Sequence, residues 1–251
     1  MIIPILTQIC IALLVLLLLA VTQGKHLFKN KMLLALFFAV YFVDNILIVL
    51  TNRFTSLQLI PNHIWEGFLV CSWSGKLYSI AFAFTLLFLC RKALSQDDVG
   101  ITFHQKPGSV LPASIVIFAL ATWALFVGIL SPKGKPDLQT LLYLAIMPGL
   151  NEELIYRGYL LGILDRIIPT RFMLFGAPVG WGAIMTSLFF GLLHGFWLDN
   201  NLSIHIELIA LRNASVSGFI FAWLKERTGS LLMPIVAHGV EDFLFFLPRM
   251  L

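Results

Sequence analysis

The sequence predicts an all-α fold, a polytopic transmembrane helical bundle of about eight spans. Two observations carry this expectation. Of its 251 residues 59% are hydrophobic and only 12% are charged, about half the roughly 25% charge of an ordinary soluble domain. The apolar residues also fall in runs near the length of about 20 residues that a bilayer requires, with short polar stretches between them. A third observation bears on function. Carboxylates, histidines and an arginine stand inside these runs, where each costs roughly 2.5 to 3.5 kcal/mol and is best placed facing the bundle interior.

Residues 2–21 have no Lys or Arg ahead of them and no A-x-A-like site after them, so they are expected to form the first span rather than a cleaved signal peptide. Further spans are expected over 32–50, 64–90, 110–130, 138–164, 172–194, 204–224 and 231–247. No linker exceeds about twenty residues, a length at which structureless loops become uncommon within a domain. The chain therefore reads as one domain, 1–251, with a first part over 1–137 that carries few polar groups and a polar-richer part over 138–247. In the first part Asp44, Glu66 and Lys76 are expected to be interior pairs or snorkelling residues without chemistry. Residues 91–108 form the longest polar segment and are expected to be a cytoplasmic loop.

The net charge is +4 and the pI about 9.1, yet the basic residues sit in short clusters between apolar runs rather than on one patch. They read as topology signals, not as a nucleic-acid surface. With the N-terminus outside, Lys25, Lys29, Lys31, Arg91, Lys92, Lys106, Arg166, Arg171, Lys225 and Arg227 fall in inner loops. Only Arg53, Lys133, Lys135 and Arg249 fall outside, while Lys76, Arg157 and Arg212 lie within spans. Cys10, Cys71 and Cys90 are odd in number, sit in apolar segments and match no zinc spacing, so they read as packing residues.

The stretch that most needs explaining is Asn151-Glu152-Glu153-Leu154-Ile155-Tyr156-Arg157. On a helix Glu153 and Arg157 stand at i,i+4 with the glutamate N-terminal, the better orientation for an ion pair. Glu152 points about 100° away and is expected to be the free carboxylate. Pro148-Gly149 is expected to break or kink the helix, with Asn151 capping a restart that puts both glutamates in a first turn favoured by the helix dipole. Two further elements follow: Phe190-Gly191-Leu192-Leu193-His194, and His238-Gly239-Val240-Glu241-Asp242, in which His238 and Asp242 share a face. Taken alone, His194 reads first as an interfacial or core residue and His238 with Asp242 as a hydrogen-bonded packing pair. Together these groups come from three spans, and ionisable groups in lipid have to converge. Ala210, Ala214 and Gly218 recur every four residues, a small-residue stripe that permits close helix approach and reads first as packing. Glu207, Arg212 and Asn213 on that segment are expected to pair within the bundle or line an access path.

E-E-x-x-x-R at Glu152 to Arg157, F-x-x-x-H at Phe190 to His194 and H-x-x-x-D at His238 to Asp242, the last preceded by Thr228-Gly229-Ser230-Leu231-Leu232-Met233-Pro234-Ile235, resemble the three motifs of the CAAX prenyl protease 2 family, also called the CAAX protease and bacteriocin-processing family. The resemblance covers roughly residues 138–247. It implies an intramembrane glutamate endopeptidase in a multi-pass cell-membrane bundle whose conical cavity opens toward the cytosol. By that analogy Glu152 and His194 hold and deprotonate the attacking water, His238 with Asp242 stabilises the oxyanion, and Glu153 and Arg157 support them. Prenyl proteases carry Asn where this chain has Asp242. An ionised carboxylate repels an oxyanion, so Asp242 either is protonated or only orients His238, the reading favoured by the ordinary use of carboxylates beside histidine.

No H-E-x-x-H zinc motif is present, and Ser187, Ser215 and Ser217 lack the context of a serine protease. No cofactor is expected; a zinc site from Glu152, His194 and His238 is the alternative. The expected partners are the lipid bilayer and a membrane-associated protein or peptide substrate, prenylated or not, with no nucleic acid. A non-hydrolytic protein, such as a bacteriocin self-immunity protein or scaffold, is the alternative from another class. A proton-coupled transporter also places Glu and His at the midplane, but no matched pair of broken segments supports it.

Overall fold

The computed structural model describes residues 2–66, 69–91, 94–131 and 134–250. Lys92 and Lys133, counted above for topology, lie outside the described residues. The chain is a mostly helical membrane protein. Helix α1 (Ile2–Lys29) bends at Gln23, and α2 (Lys31–Arg53) returns beside it. A hairpin of β1 (His63–Trp65) and β2 (Leu69–Cys71) leads into α3 (Trp73–Leu89), followed by the short α4 (Gln96–Val99) and by α5 (Val110–Leu130). Then α6 (Leu138–Glu152) passes into a π-helical stretch, Glu153–Leu160, and into α7 (Leu161–Ile167). A hairpin of β3 (Arg171–Leu174) and β4 (Ala177–Gly180) precedes α8 (Trp181–Gly195). A third, of β5 (Phe196–Leu198) and β6 (Ile204–Ile206), precedes α9 (Leu208–Thr228) and α10 (Leu232–Phe246).

Among the described residues α1, α2 and α5 are long and apolar enough to cross a membrane, while α3 and α8 are apolar but shorter. The expected spans over 64–90, 172–194 and 204–224 each begin too early, because their first residues form hairpins. The missed signal is clearest in the second: Phe175 (φ 47°) and Gly176 (φ 80°) make the two-residue turn between Leu174 and Ala177, the left-handed pair that a tight hairpin requires. The residues there are apolar enough to be mistaken for a span.

The expected helix break at Pro148-Gly149 does not occur. Helix α6 runs through Pro148 to Glu152, and the irregularity follows it, as the π-helical stretch. Asn151 caps nothing; its side chain is buried and donates to Ser79 Oγ at 2.8 Å and to Asp44 Oδ1 at 3.3 Å. Tertiary partners took the amide that local propensity assigned to a cap, so the two glutamates do not share a helix N-terminal turn.

Helix α10 lies between α5 and α6, and α8 packs along α9. Gly149 and Gly239 allow α6 and α10 to touch backbone to backbone. A Cβ on Gly239 would stand 2.2 Å from the Ala145 carbonyl oxygen, and one on Gly149 would stand 2.8 Å from that of Ile235. The core beneath is aromatic and aliphatic, with Phe37, Tyr41, Tyr159 and Phe189 fully buried.

The loops gather at two ends. At one, Arg166 bridges Asp98 at 2.7 Å, Lys106 Nζ donates to the Glu226 carbonyl at 2.9 Å and Arg227 to that of Gly108 at 2.7 Å. There the segment 94–108 is ordered by a capping box between Ser95 and Asp98. Burial raises the Asp98 carboxyl, but Arg166 and Ser95 outweigh it and hold it below the usual carboxylate value. At the other end the Trp65 indole donates to the Lys135 carbonyl at 2.9 Å, and His63 meets Asp137 at 2.8 Å.

Candidate functional site

The close crossing of α6 and α10 sets Glu153 against His238. The Glu153 Oε1 atom lies 2.8 Å from His238 Nδ1 and 3.0 Å from Arg157 Nη1, and the side chains of Glu153 and Arg157 are both wholly buried. The i,i+4 pair expected from sequence therefore forms, within π-helical backbone. The Arg157 guanidinium lies 4.3 Å from the centre of the Phe190 ring and 5.3 Å from that of Phe221, an arrangement that offsets part of its desolvation. A Cβ at Gly218 would approach Arg157 Nη2 to 2.8 Å, so the last member of the small-residue stripe also makes room for this cation.

Glu152 is not free. Its Oε1 accepts from Lys76 Nζ at 2.6 Å, a partner that sequence reasoning left without a role. Behind this pair a buried polar cluster joins α2, α3 and α6: Asn151 donates to Asp44 and Ser79, and the Ser79 hydroxyl bonds Asp44. The signal for Lys76 was present in its cost. An ammonium near the start of an apolar helix requires a carboxylate close by, but 76 positions of sequence separate it from Glu152. The second Glu152 oxygen, Oε2, is buried without a hydrogen-bond partner.

His238 stands between three carboxylates. Its Nδ1 is on Glu153, and its Nε2 lies 3.6 Å from Asp242 Oδ2 and 4.0 Å from Glu152 Oε2. The Phe221 ring stacks on the imidazole at 4.9 Å. The hydrogen bond that orients His238 is thus made by Glu153 rather than by Asp242, whose oxygen stands beyond hydrogen-bond distance. Since Glu153 Oε1 also accepts from Arg157, it acts as acceptor here too, and His238 Nδ1–H donates to it. The Nε2 atom then turns to the cavity, as an acceptor when the ring is neutral and as a donor when it is an imidazolium.

Glu152, His194, His238 and Asp242 all line one cavity of about 510 Å³. His194, in the last turn of α8, has its Nδ1 2.8 Å from the Phe190 carbonyl oxygen. That leaves Nε2 as its other polar atom. A second cleft, of about 500 Å³ between α5 and α9, shares Asn213, Ser217, Glu241 and Asp242 with the first. Ser217 donates to Glu241 Oε1 at 2.7 Å, so Glu241, next to the motif residue, is a further polar wall group. Arg212 pairs with neighbouring Asn213, and Glu207 caps α9 through the Ile209 amide.

The class these features define is a helical membrane protein with carboxylates and histidines gathered around a cavity in its bundle. Within that class, residues 134–244 match the family model described as type II CAAX prenyl endopeptidase, Rce1-like, a match that supports the likeness to the CAAX protease family over this stretch. The chain is also similar to an Escherichia coli protein described as an uncharacterized 24.3 kDa protein, with 32% identity over 108 residues. That match covers 42% of this chain and 42% of the relative's length. No solved structure matches the chain. Asp44, Lys76 and Ser79 lie outside the matched stretch.

Proposed function

We propose that the protein is an intramembrane endopeptidase that cleaves peptide bonds of membrane-associated substrates with a water activated by glutamate and histidine. The observation that carries this reading is the state of Glu152: one carboxylate oxygen is held by Lys76, and the other is buried, unpartnered and 4.0 Å from His238 Nε2. A water within hydrogen-bond distance of Oε2 is within the reach a general base needs. Glu152 takes the water proton, with His194 holding the same water from α8. As an imidazolium, oriented by Glu153, His238 donates Nε2–H to the tetrahedral oxygen, the preorganised donation that such a step requires. Asp242 faces the same nitrogen. In this reading α1, α2, α3, α5, α6 with α7, α8, α9 and α10 cross the cell membrane as a single domain. The cleft between α5 and α9 gives a membrane-associated chain a lateral way to Asp242. The test is cleavage of a peptide or proteome library by the reconstituted protein, wild type beside Glu152→Ala; identical product patterns would leave the non-hydrolytic immunity or scaffold reading.

Asp242→Asn keeps the shape of the side chain and can itself donate to an oxyanion, so it is expected to retain substantial activity, with Asp242→Ala lower. His238→Ala should fall by about 100- to 1000-fold, the usual loss on removing one such donor. If Asp242→Asn matched Glu152→Gln in inactivity while folded, the carboxylate itself would be essential, as a general acid or ligand.

No metal is assigned a role. Glu152 with His194 and His238 is a sufficient acid–base set. Activity is expected to survive strong chelation and dialysis. Stoichiometric zinc in the purified protein, with activity lost on its removal and restored on its return, would reverse this.

A further inference from the structure

The candidate cavity and the basic loops lie at opposite ends of the bundle. Its wall is drawn from Ile48 and Asn52 in the last turns of α2, Val70 in β2, His194 at the end of α8, Asn213 early in α9 and Phe246 at the end of α10. All belong to the end where Trp65 meets Lys135 and His63 meets Asp137. That end carries few loop cations: Arg53, Lys135 and Arg249 among the described residues, with Arg212 a turn inside α9.

The other end collects the rest. Lys25, Lys29 and Lys31 surround the α1–α2 junction, Arg166 and Arg171 follow the end of α7, and Lys225 and Arg227 close α9. Arg91 follows the end of α3, and Lys106 belongs to the segment docked there through Arg166 and Glu226. Topology follows Lys and Arg in short loops near span ends, and acidic residues count little. The basic end is therefore cytoplasmic.

We propose that the cavity opens on the non-cytoplasmic face of the membrane, and that its substrate is a peptide or protein segment presented from that side. For the substrate this rests on the endopeptidase reading above; for the side it rests on charge and geometry alone. It opposes the cytosol-facing cavity that the family resemblance implies. In this orientation the C-terminal tail of a cytosolic protein cannot enter the mouth, whereas an exported or translocated segment can.

The side is read by single-cysteine labelling of the full chain in intact cells, with Cys10, Cys71 and Cys90 replaced by alanine. One probe is Asn201→Cys in the exposed turn between β5 and β6 at the cavity end; the other is His104→Cys, exposed at the basic end. A membrane-impermeant maleimide is expected to label Asn201→Cys before permeabilisation and His104→Cys only afterwards. The reverse pattern, or equal labelling of both in intact cells, would overturn the proposal. Should the cysteine-free chain fail to insert, fusions after Leu251 give a second readout. Residues 247–249 lie at the cavity end, so a phosphatase that needs an oxidising compartment should be active there and a cytoplasmic fluorescent reporter dark; a dark phosphatase with a bright reporter would overturn the proposal. Neither readout depends on proteolysis, so a failed topology and a failed endopeptidase reading are told apart.

Discussion

Glu152→Gln is expected to abolish peptide-bond cleavage while the protein remains folded and inserted. The amide keeps the shape of the carboxylate and still presents an oxygen to Lys76, which now donates to Oε1 at 2.6 Å. What it loses is basicity at the atom that faces the cavity. Removing a general base typically costs 100- to 10,000-fold; Glu153 already holds Arg157 and His238 through Oε1, and Asp242, on the same cavity wall, lies beside His238 Nε2. The Lys76 ammonium is left facing a neutral amide, but the Glu152 side chain is 21% exposed to the cavity, so water can solvate the uncompensated charge. The measurement is turnover of any verified substrate beside thermal unfolding of the same preparation. Activity equal to wild type would end the catalytic reading of Glu152.

Glu153→Gln should fail in a different way, through folding. Glu153 and Arg157 are both wholly buried, and the Nε and Nη2 atoms of Arg157 have no hydrogen-bond partner. Removing one member of a buried ion pair costs on the order of 3 to 5 kcal/mol, because the other charge is stranded. The aromatic faces of Phe190 and Phe221 return part of this. Since a domain's whole stability is only about 5 to 15 kcal/mol, the expected result is low yield and a strongly reduced midpoint, together with lost activity because His238 loses the acceptor that orients it. A Glu153→Gln protein with wild-type midpoint and lost activity would move Glu153 from support to chemistry.

The contrast between these two neighbours was partly legible in the sequence. Spacing alone paired Glu153 with Arg157, because i,i+4 contact is a local property of helical backbone. The same local logic failed at Pro148-Gly149 and Asn151, where a break and a cap were expected; Asn151 is instead consumed by Asp44 and Ser79 across two other helices. It failed again at the three hairpins, since residues 64–66, 172–180 and 204–206 lie in stretches with the composition of a span but without its backbone.

By itself the sequence determined that this is a helical membrane protein and which ionisable residues have to find one another. Composition and short-range periodicity suffice for that, because the bilayer penalises every charge wherever its chain position. Only the tertiary structure decided the pairings: Lys76 with Glu152, His238 with Glu153 rather than Asp242, and the end of the bundle at which the cavity opens. Each depends on helices far apart in sequence meeting at a particular depth. The contact of Gly149 and Gly239 across α6 and α10 sets that depth, and no local pattern encodes it.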